Sequence, residues 1–283
     1  METWLVLGIF SYLFYAISTS IDKNMMNKKY EILSTSTFKM LLDGAFLLVI
    51  GFLFFHLNFN YKTVYWTAVL GALYAAAGIF YYKILTRRDV GESLPYLNSL
   101  QILFIFIFSL MFFGEQARPA NYFGVVLILI GVYAILTKKF RLPKFDVAFV
   151  FVIANVLINV VYYLLVKKVL FDVKPIDLSV SMYFFCTLSL VLYQMIFRKH
   201  KNLITTPKSN IFRIFAAAFA GAMGTLVLFY ALSMGEASKI YPMAGLQVVF
   251  VFIFASLFLK EKFSLQRLLG TLIVFAGIFF VSL

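Results

Sequence analysis

Apolar runs about twenty residues long, separated by short polar breaks, follow one another along almost the whole chain. Ten are legible, at 4–21, 33–55, 64–82, 94–113, 119–137, 146–166, 176–197, 211–232, 240–259 and 265–282. A helix rising about 1.5 Å per residue needs about 20 apolar residues to cross a hydrocarbon core roughly 30 Å thick. Each run therefore predicts one membrane span, and the fold class is an all-α integral membrane protein with ten transmembrane helices. The breaks are too short for a large soluble module. The first run lacks a basic start and leads directly into further spans, so it predicts a retained helix rather than a cleaved signal peptide.

Two of the runs are near copies. Leu100 to Glu115 (LQILFIFIFSLMFFGE) and Leu246 to Glu261 (LQVVFVFIFASLFLKE) share eight of sixteen positions at an offset of 146 residues. The same offset relates Gly78 to Gly224, Gly124 to Gly270 and Gly131 to Gly277. The chain thus divides into a first repeat at 1–140 and a second at 141–283, joined by the charged, proline-containing stretch KKFRLPKF, Lys138 to Phe145. Each repeat carries five predicted spans. An odd number turns the second copy upside down relative to the first, which gives two inverted five-helix repeats. Such folds hold a solute near the bilayer midplane between the repeats and expose it to the two faces in turn.

Composition agrees with this reading. The chain is 63% hydrophobic and only 13% charged, with a mean hydropathy of +0.94, whereas soluble domains hold roughly 25% charged residues. A net charge of +13 would suggest nucleic acid in a soluble protein. Here the basic residues cluster in the breaks and act as topology signals, so the expected surroundings are a lipid bilayer and no nucleic acid. Sixteen Lys and Arg fall in the breaks opposite the N-terminus and six on its own side. By the positive-inside rule this places the termini outside and the basic loops in the cytoplasm. The single cysteine, Cys186, lies inside a predicted span, and with only His56 and His200 beside it neither an internal disulfide nor a metal site is expected. No cofactor is implied.

The stretch from Phe229 to Val281 resembles the EamA family of the drug/metabolite transporter superfamily. The features that carry the resemblance are Tyr230-Ala231-Leu232, Ala237-Ser238, Pro242, Leu259-Lys260-Glu261, Gly270 and Gly277. The first copy repeats them less closely as Tyr82, Pro95, Gly114-Glu115, Gly124 and Gly131, and has Arg87, Arg88 and Asp89 near where the second has Ser233, Met234 and Gly235. The resemblance is good over 64–137 and 211–283 and weak over the first two spans of each half. It implies ten helices in two inverted repeats and secondary transport of small organic solutes, often export. It also implies cytoplasmic termini, opposite to the charge count.

Polar residues inside the spans are the candidates for chemistry. Asp43 lies about 15 Å into the second run and Lys39 about 9 Å, one turn apart on one helix face. A charge near mid-membrane costs at least about 2.5 kcal/mol without a partner or water. The pair is read either as a coupling site, Asp43 being released from Lys39 as a proton or cationic solute binds, or as a static pair that fixes helix packing. Asn155, Asn159 and Tyr162 form a polar stripe in the sixth run, and Ser11, Tyr15 and Ser18 a weaker one in the first. Gln101 and Gln247 occupy equivalent places in the duplicated runs, with Asn98 one turn before Gln101, and an unsatisfied amide in hydrocarbon is costly. These residues, with Tyr74, Tyr82, Tyr183 and Tyr230, are expected to line a solute route. Glu115 and Glu261, at the ends of the copies, are read as helix caps or gating groups, and Pro95 and Pro242 as either first-turn prolines or points where a span begins inside the membrane. Gly71, Ala75 and Gly78, with Ala217, Gly221 and Gly224, read as packing surfaces.

The expected function is secondary transport of a small organic metabolite, an amino acid or related solute, across the cell membrane, in the direction of export and with protons as the coupling ion. A non-transporting scaffold or receptor is the alternative. An intramembrane lipid-modifying enzyme would normally show paired acids or a His-Glu metal motif; neither is found, and the chain is not expected to be an enzyme.

Overall fold

The computed structural model describes residues 2–26, 32–85, 90–137, 146–197, 211–258 and 265–283. Among them all regular structure is helical, and ten helical stretches are long and apolar enough to cross a membrane. In chain order these are α1 (Thr3–Met26), α2 (Ile32–Phe54), α3 (Tyr61–Leu85), α4 (Val90–Phe113), α5 (Pro119–Leu136), α6 (Val147–Val169), α7 (Pro175–Phe197), α8 (Ile211–Met234), a ninth span made of α9 (Ala237–Ile240), a 3₁₀ turn (Tyr241–Ala244) and α10 (Gly245–Phe258), and α11 (Leu265–Ser282). Several helices outrun the apolar stretches that predict them, since polar flanking residues continue a helix without penalty once they reach the interface.

The inversion is visible in how equivalent helices meet. A Cβ built on Gly124 would lie 2.6 Å from the carbonyl oxygen of Gly277, and one on Gly131 would lie 2.7 Å from that of Gly270. Gly124 corresponds to Gly270 and Gly131 to Gly277, so each glycine faces the counterpart of the other. The early residue of α5 touches the late residue of α11, and the two helices are antiparallel. Two equivalent helices crossing in opposite directions are related by a twofold axis lying across them, in the membrane plane. Both ends of this crossing are pinned: Asn121 Nδ2 donates to the Val281 carbonyl at 3.0 Å, and Gln266 Nε2 donates to Ala134 and Thr137 at 2.9 and 2.6 Å.

Most of the remaining contacts between the halves repeat under the same exchange. Helix α1 lies on α8 as α6 lies on α3, α2 on α8 as α7 on α3, and α1 on α10 as α6 on α4, while α2 meets its own counterpart α7. Polar side chains mark these seams. Ser11 and Ser18 donate to the carbonyls of Gly224 and Ala217 at 2.8 and 2.9 Å, and buried Gln194 joins α7 to Thr37 of α2 at 2.8 Å. The outward faces carry large apolar groups such as Phe52, Phe112 and Phe212, so the helices present apolar surface towards lipid.

Two expectations about packing change. Gly71 is wedged against α7, its virtual Cβ 2.7 Å from Cys186 N, but a Cβ on Gly78 meets no atom within 4 Å; Gly78 is not part of that surface. The prolines are also not equivalent. Helix α4 begins at Val90 and runs continuously past Pro95, whereas the ninth span tightens into 3₁₀ geometry at Pro242 before α10 resumes. Proline has no N–H to give the preceding turn, and a short 3₁₀ stretch accommodates that loss.

Extra volume in a backbone-to-backbone crossing is expected to cost about 1–3 kcal/mol. Gly131→Ala should therefore lower the thermal unfolding temperature in detergent. Gly78→Ala, which gains helix propensity without a clash, should leave it unchanged or raise it.

Candidate functional site

A cavity of about 220 Å³ lies where the two halves face each other. Both repeats build it: α1, α2, α3 and α4 contribute from the first, and α6, α7, α8 and the ninth span from the second. Seven of its twenty lining residues are tyrosines. Tyr74 stacks on Tyr162 with ring centroids 5.2 Å apart and stands edge-on to Tyr183, and Tyr163 lies 4.9 Å from both Tyr162 and Tyr241. Several of their hydroxyls are held by neighbouring groups of the protein. Thr225 Oγ1 lies 2.8 Å from the Tyr15 hydroxyl and 2.5 Å from that of Tyr183, Tyr241 donates to the Tyr163 carbonyl at 2.8 Å, and Tyr162 to Met182 Sδ at 3.0 Å. With these four hydroxyls held, the rings of Tyr15, Tyr162, Tyr183 and Tyr241 are fixed in place around the interior.

Lys39 and Asp43 both line the cavity, but they are not a closed pair. Lys39 Nζ donates to Asp22 Oδ2 of α1 at 2.9 Å. Asp43 is 1% exposed, and its Oδ1 accepts no hydrogen bond from any described residue. The lysine reaches along its own helix towards the interface, where a carboxylate on the neighbouring helix meets it. This corrects the expected i, i+4 pair.

The other predicted residues divide into two groups. Asn98, Gln101, Gln247, Tyr74, Tyr162 and Tyr183 all line the cavity. Gln247 Nε2 donates to Thr19 Oγ1 of α1 at 3.0 Å, and Gln101 lines the cavity together with Tyr163. Asn155 and Asn159 do not line it. Asn155 Nδ2 donates to the Ala77 carbonyl at 2.7 Å and fastens α6 to α3, and Asn159 donates back to Asn155 Oδ1 at 2.9 Å. Tyr82 sits in a small cluster with Leu33, Ala75, Cys186 and Leu190, and Tyr230 packs near Phe55 at the terminus-side end. Glu261 lies outside the described residues. Reading the sequence missed Tyr12, Thr19, Asp22, Tyr163, Thr225 and Tyr241. Asp22 was within reach: it extends the stripe of Ser11, Tyr15 and Ser18 by one more helical turn.

The two ends of the cavity differ. Towards the termini, Tyr12, Tyr241 and Tyr183 are almost fully buried, and beyond them a polar latch holds the link from α8 to α9. Glu115, at the end of the first copy, accepts from Ala237 N at 2.8 Å and Ser238 N at 2.7 Å, so it caps the ninth span as a carboxylate does at a helix start. Lys167 of α6, 7% exposed, donates to the carbonyls of Leu232 and Gly235, both at 2.7 Å. A sequence count of loop charges cannot distinguish such a lysine from a topology signal. Towards the opposite side the lining residue Thr19 is exposed, and the Lys39 and Asp22 side chains keep 13% and 26% exposure. Among the described residues, the cavity opens away from the termini. Three or more His, Cys, Asp or Glu placed to hold a metal ion are not found among these residues.

The sequence matches one family twice, an EamA-like transporter family, over residues 2–137 and 147–283. The chain belongs to that family. It is a multi-pass membrane protein of the drug/metabolite transporter kind. An uncharacterized protein of Methanocaldococcus jannaschii is 30% identical over 94 residues, which cover 33% of this chain and 69% of that protein. A crystal structure of a protein superposes with a TM-score of 0.84 at 15% identity, covering 100% of this chain and 99% of the other, a likeness of fold alone.

Hydrogen bonds to a charged group contribute about 1.5–3 kcal/mol each. Glu115→Ala is therefore expected to destabilise the folded protein by about 2 kcal/mol or more, read as a lowered unfolding midpoint, and Glu115→Gln, which keeps one acceptor oxygen, by roughly half as much.

Proposed function

We propose that this EamA-family protein is a secondary transporter that carries a small organic metabolite across the cell membrane by alternating access. The observation that carries the reading is a polar cavity rich in tyrosine at the junction of two inverted repeats, which among the described residues is closed towards one face and open towards the other. A twofold relation between the halves means that the mirror arrangement, open towards the termini, uses the same packing surfaces with the roles of the halves exchanged. The broken ninth span at Pro242 and the latch at Glu115 and Lys167 are the places where this exchange would be felt first. With the basic loops in the cytoplasm, as the positive-inside rule has it, the cavity faces the cell interior. A carrier that loads there works in the direction of export.

The volume limits the cargo. About 220 Å³ lies below the roughly 300–1,000 Å³ of drug-sized pockets and corresponds to about seven water molecules. The solute is of amino-acid size rather than nucleotide size.

Counterflow in proteoliposomes tests the reading. Vesicles preloaded with one member of a panel of amines, amino acids and small organic acids should take up the same labelled solute faster than protein-free vesicles, with saturation. Gly221→Leu, which adds a side chain where a Cβ already lies 3.3 Å from Ser18 and 3.4 Å from Asp43, should fill the cavity and cut that uptake at least tenfold. Absence of counterflow for every solute, with folded protein in the vesicles, would defeat the proposal.

A further inference from the structure

The charges around the cavity do not balance. Asp22, Lys39 and Asp43 are the charged side chains gathered there among the described residues, two negative and one positive. Asp22 and Lys39 satisfy each other at 2.9 Å, which leaves Asp43 as the surplus. Its carboxylate is almost wholly buried and lines the cavity, and its Oδ1 has no donor among the described residues. Opposite it, α8 presents Gly221, where any Cβ would stand 3.4 Å from Oδ1. The other titratable groups facing Asp43 are Tyr15 on α1, Tyr74 on α3, and Tyr183 and Cys186 on α7; none of them supplies a positive charge. A buried acceptor with one uncompensated negative charge inside a box of aromatic faces is complementary to a cation that has an N–H to donate, because ring faces attract positive charge and the carboxylate forms the charge-assisted bond.

Building on the transport reading, we propose that the solute is a small monovalent organic cation, a protonated amine, that binds Asp43, and that a proton occupies the same carboxylate when the amine is absent. The step balances: protonated Asp43 and one ammonium ion give the Asp43–ammonium pair and one free proton, so one amine exchanges for one proton. Zwitterions and anions are disfavoured at this site. Their carboxylate needs a free cationic group, and Lys39, the cation lining the cavity among the described residues, is already held by Asp22 with Asp43 as a further neighbour. This narrows the amino-acid-sized solute expected from volume alone to the amine.

The test uses the purified full chain and three probes on one carbon frame, phenethylamine, phenylalanine and 3-phenylpropanoate, with ethylamine and butylamine as smaller cations. Calorimetric titrations in buffers of different ionisation enthalpy report affinity and proton release together. An amine of the set should bind at least tenfold tighter than phenylalanine or phenylpropanoate. It should release close to one proton where Asp43 starts protonated, and its affinity should fall by up to tenfold per pH unit on acidification. Asp43→Asn should lose at least tenfold in affinity together with the proton release, and Asp43→Glu should restore both. Preference for the carboxylate or the zwitterion would overturn the inference, as would unchanged amine binding by an Asp43→Asn protein of wild-type thermal stability. Counterflow of some other solute with no amine bound would overturn it too, while leaving the transport reading intact. Amine binding with proton release but no counterflow of any solute would instead uphold the cation site and refute the transport reading.

Discussion

The architecture depends on the backbone contact between α5 and α11. Where Gly124 meets Gly277 and Gly131 meets Gly270, virtual Cβ atoms would come within 2.6 to 2.9 Å of carbonyl oxygens on the facing helix, so a side chain at any of the four pushes the helices apart. In a bilayer the lipid tails are as apolar as the helix surfaces, and association rests on close van der Waals approach and interhelical hydrogen bonds. These glycines permit such an approach between equivalent helices running in opposite directions. Once that crossing is fixed the two halves are related by a twofold axis in the membrane plane, and most of the remaining helix contacts between them have a counterpart. What lies on the axis is shared by both repeats, and there the cavity is found.

A duplicated, apolar sequence would by itself give a symmetric and featureless interior. The cavity differs because a few polar side chains break the symmetry. Asp43 has no acidic counterpart 146 residues later, where Ser189 stands, and Lys39 has none either, its counterpart being Phe185. Gln101 and Gln247 are true equivalents and both line the cavity, yet it is Gln247 that donates to Thr19 of α1. In the proposed mechanism, symmetry supplies the frame in which either face opens, and the unmatched acid in one half supplies the chemistry. Burying a carboxylate is costly, and Asp43 Oδ1 has no donor among the described residues while Lys39 is held by Asp22, which is the asymmetry the proposed amine site rests on.

The helices, their number and the inversion were legible in the sequence because length, hydropathy and an odd span count are enough to determine them. Much of the cavity was legible as well, since a polar side chain in the middle of a span has few places to go. Asn155 and Asn159 show the limit of that reasoning. They form as good a stripe as any in the chain, but their amides are consumed by the Ala77 carbonyl and by each other, and sequence spacing does not say whether a stripe faces a void or a neighbouring backbone. The same gap explains the misassigned partner of Lys39. Spacing identifies neighbours on one helix, whereas Asp22 reaches Lys39 only because α1 and α2 converge. Tyr163 and Tyr241 were hidden for another reason: in a chain with seventeen tyrosines, nothing local distinguishes those that enclose a cavity from those at the lipid boundary.

The central claim is that one cavity on the twofold axis is reached from the two faces of the membrane in turn, and side-specific thiol chemistry tests it most directly. Thr19 lines the cavity and is exposed, so Thr19→Cys in a Cys186→Ser background carries a single reporter among the residues of the chain. A membrane-impermeant thiol reagent applied to oriented vesicles should label it rapidly from the side opposite the termini. It should also label it, more slowly, from the terminus side, without any steady ion conductance. Labelling from one side alone, under all conditions and with every solute of the panel present, would contradict the account.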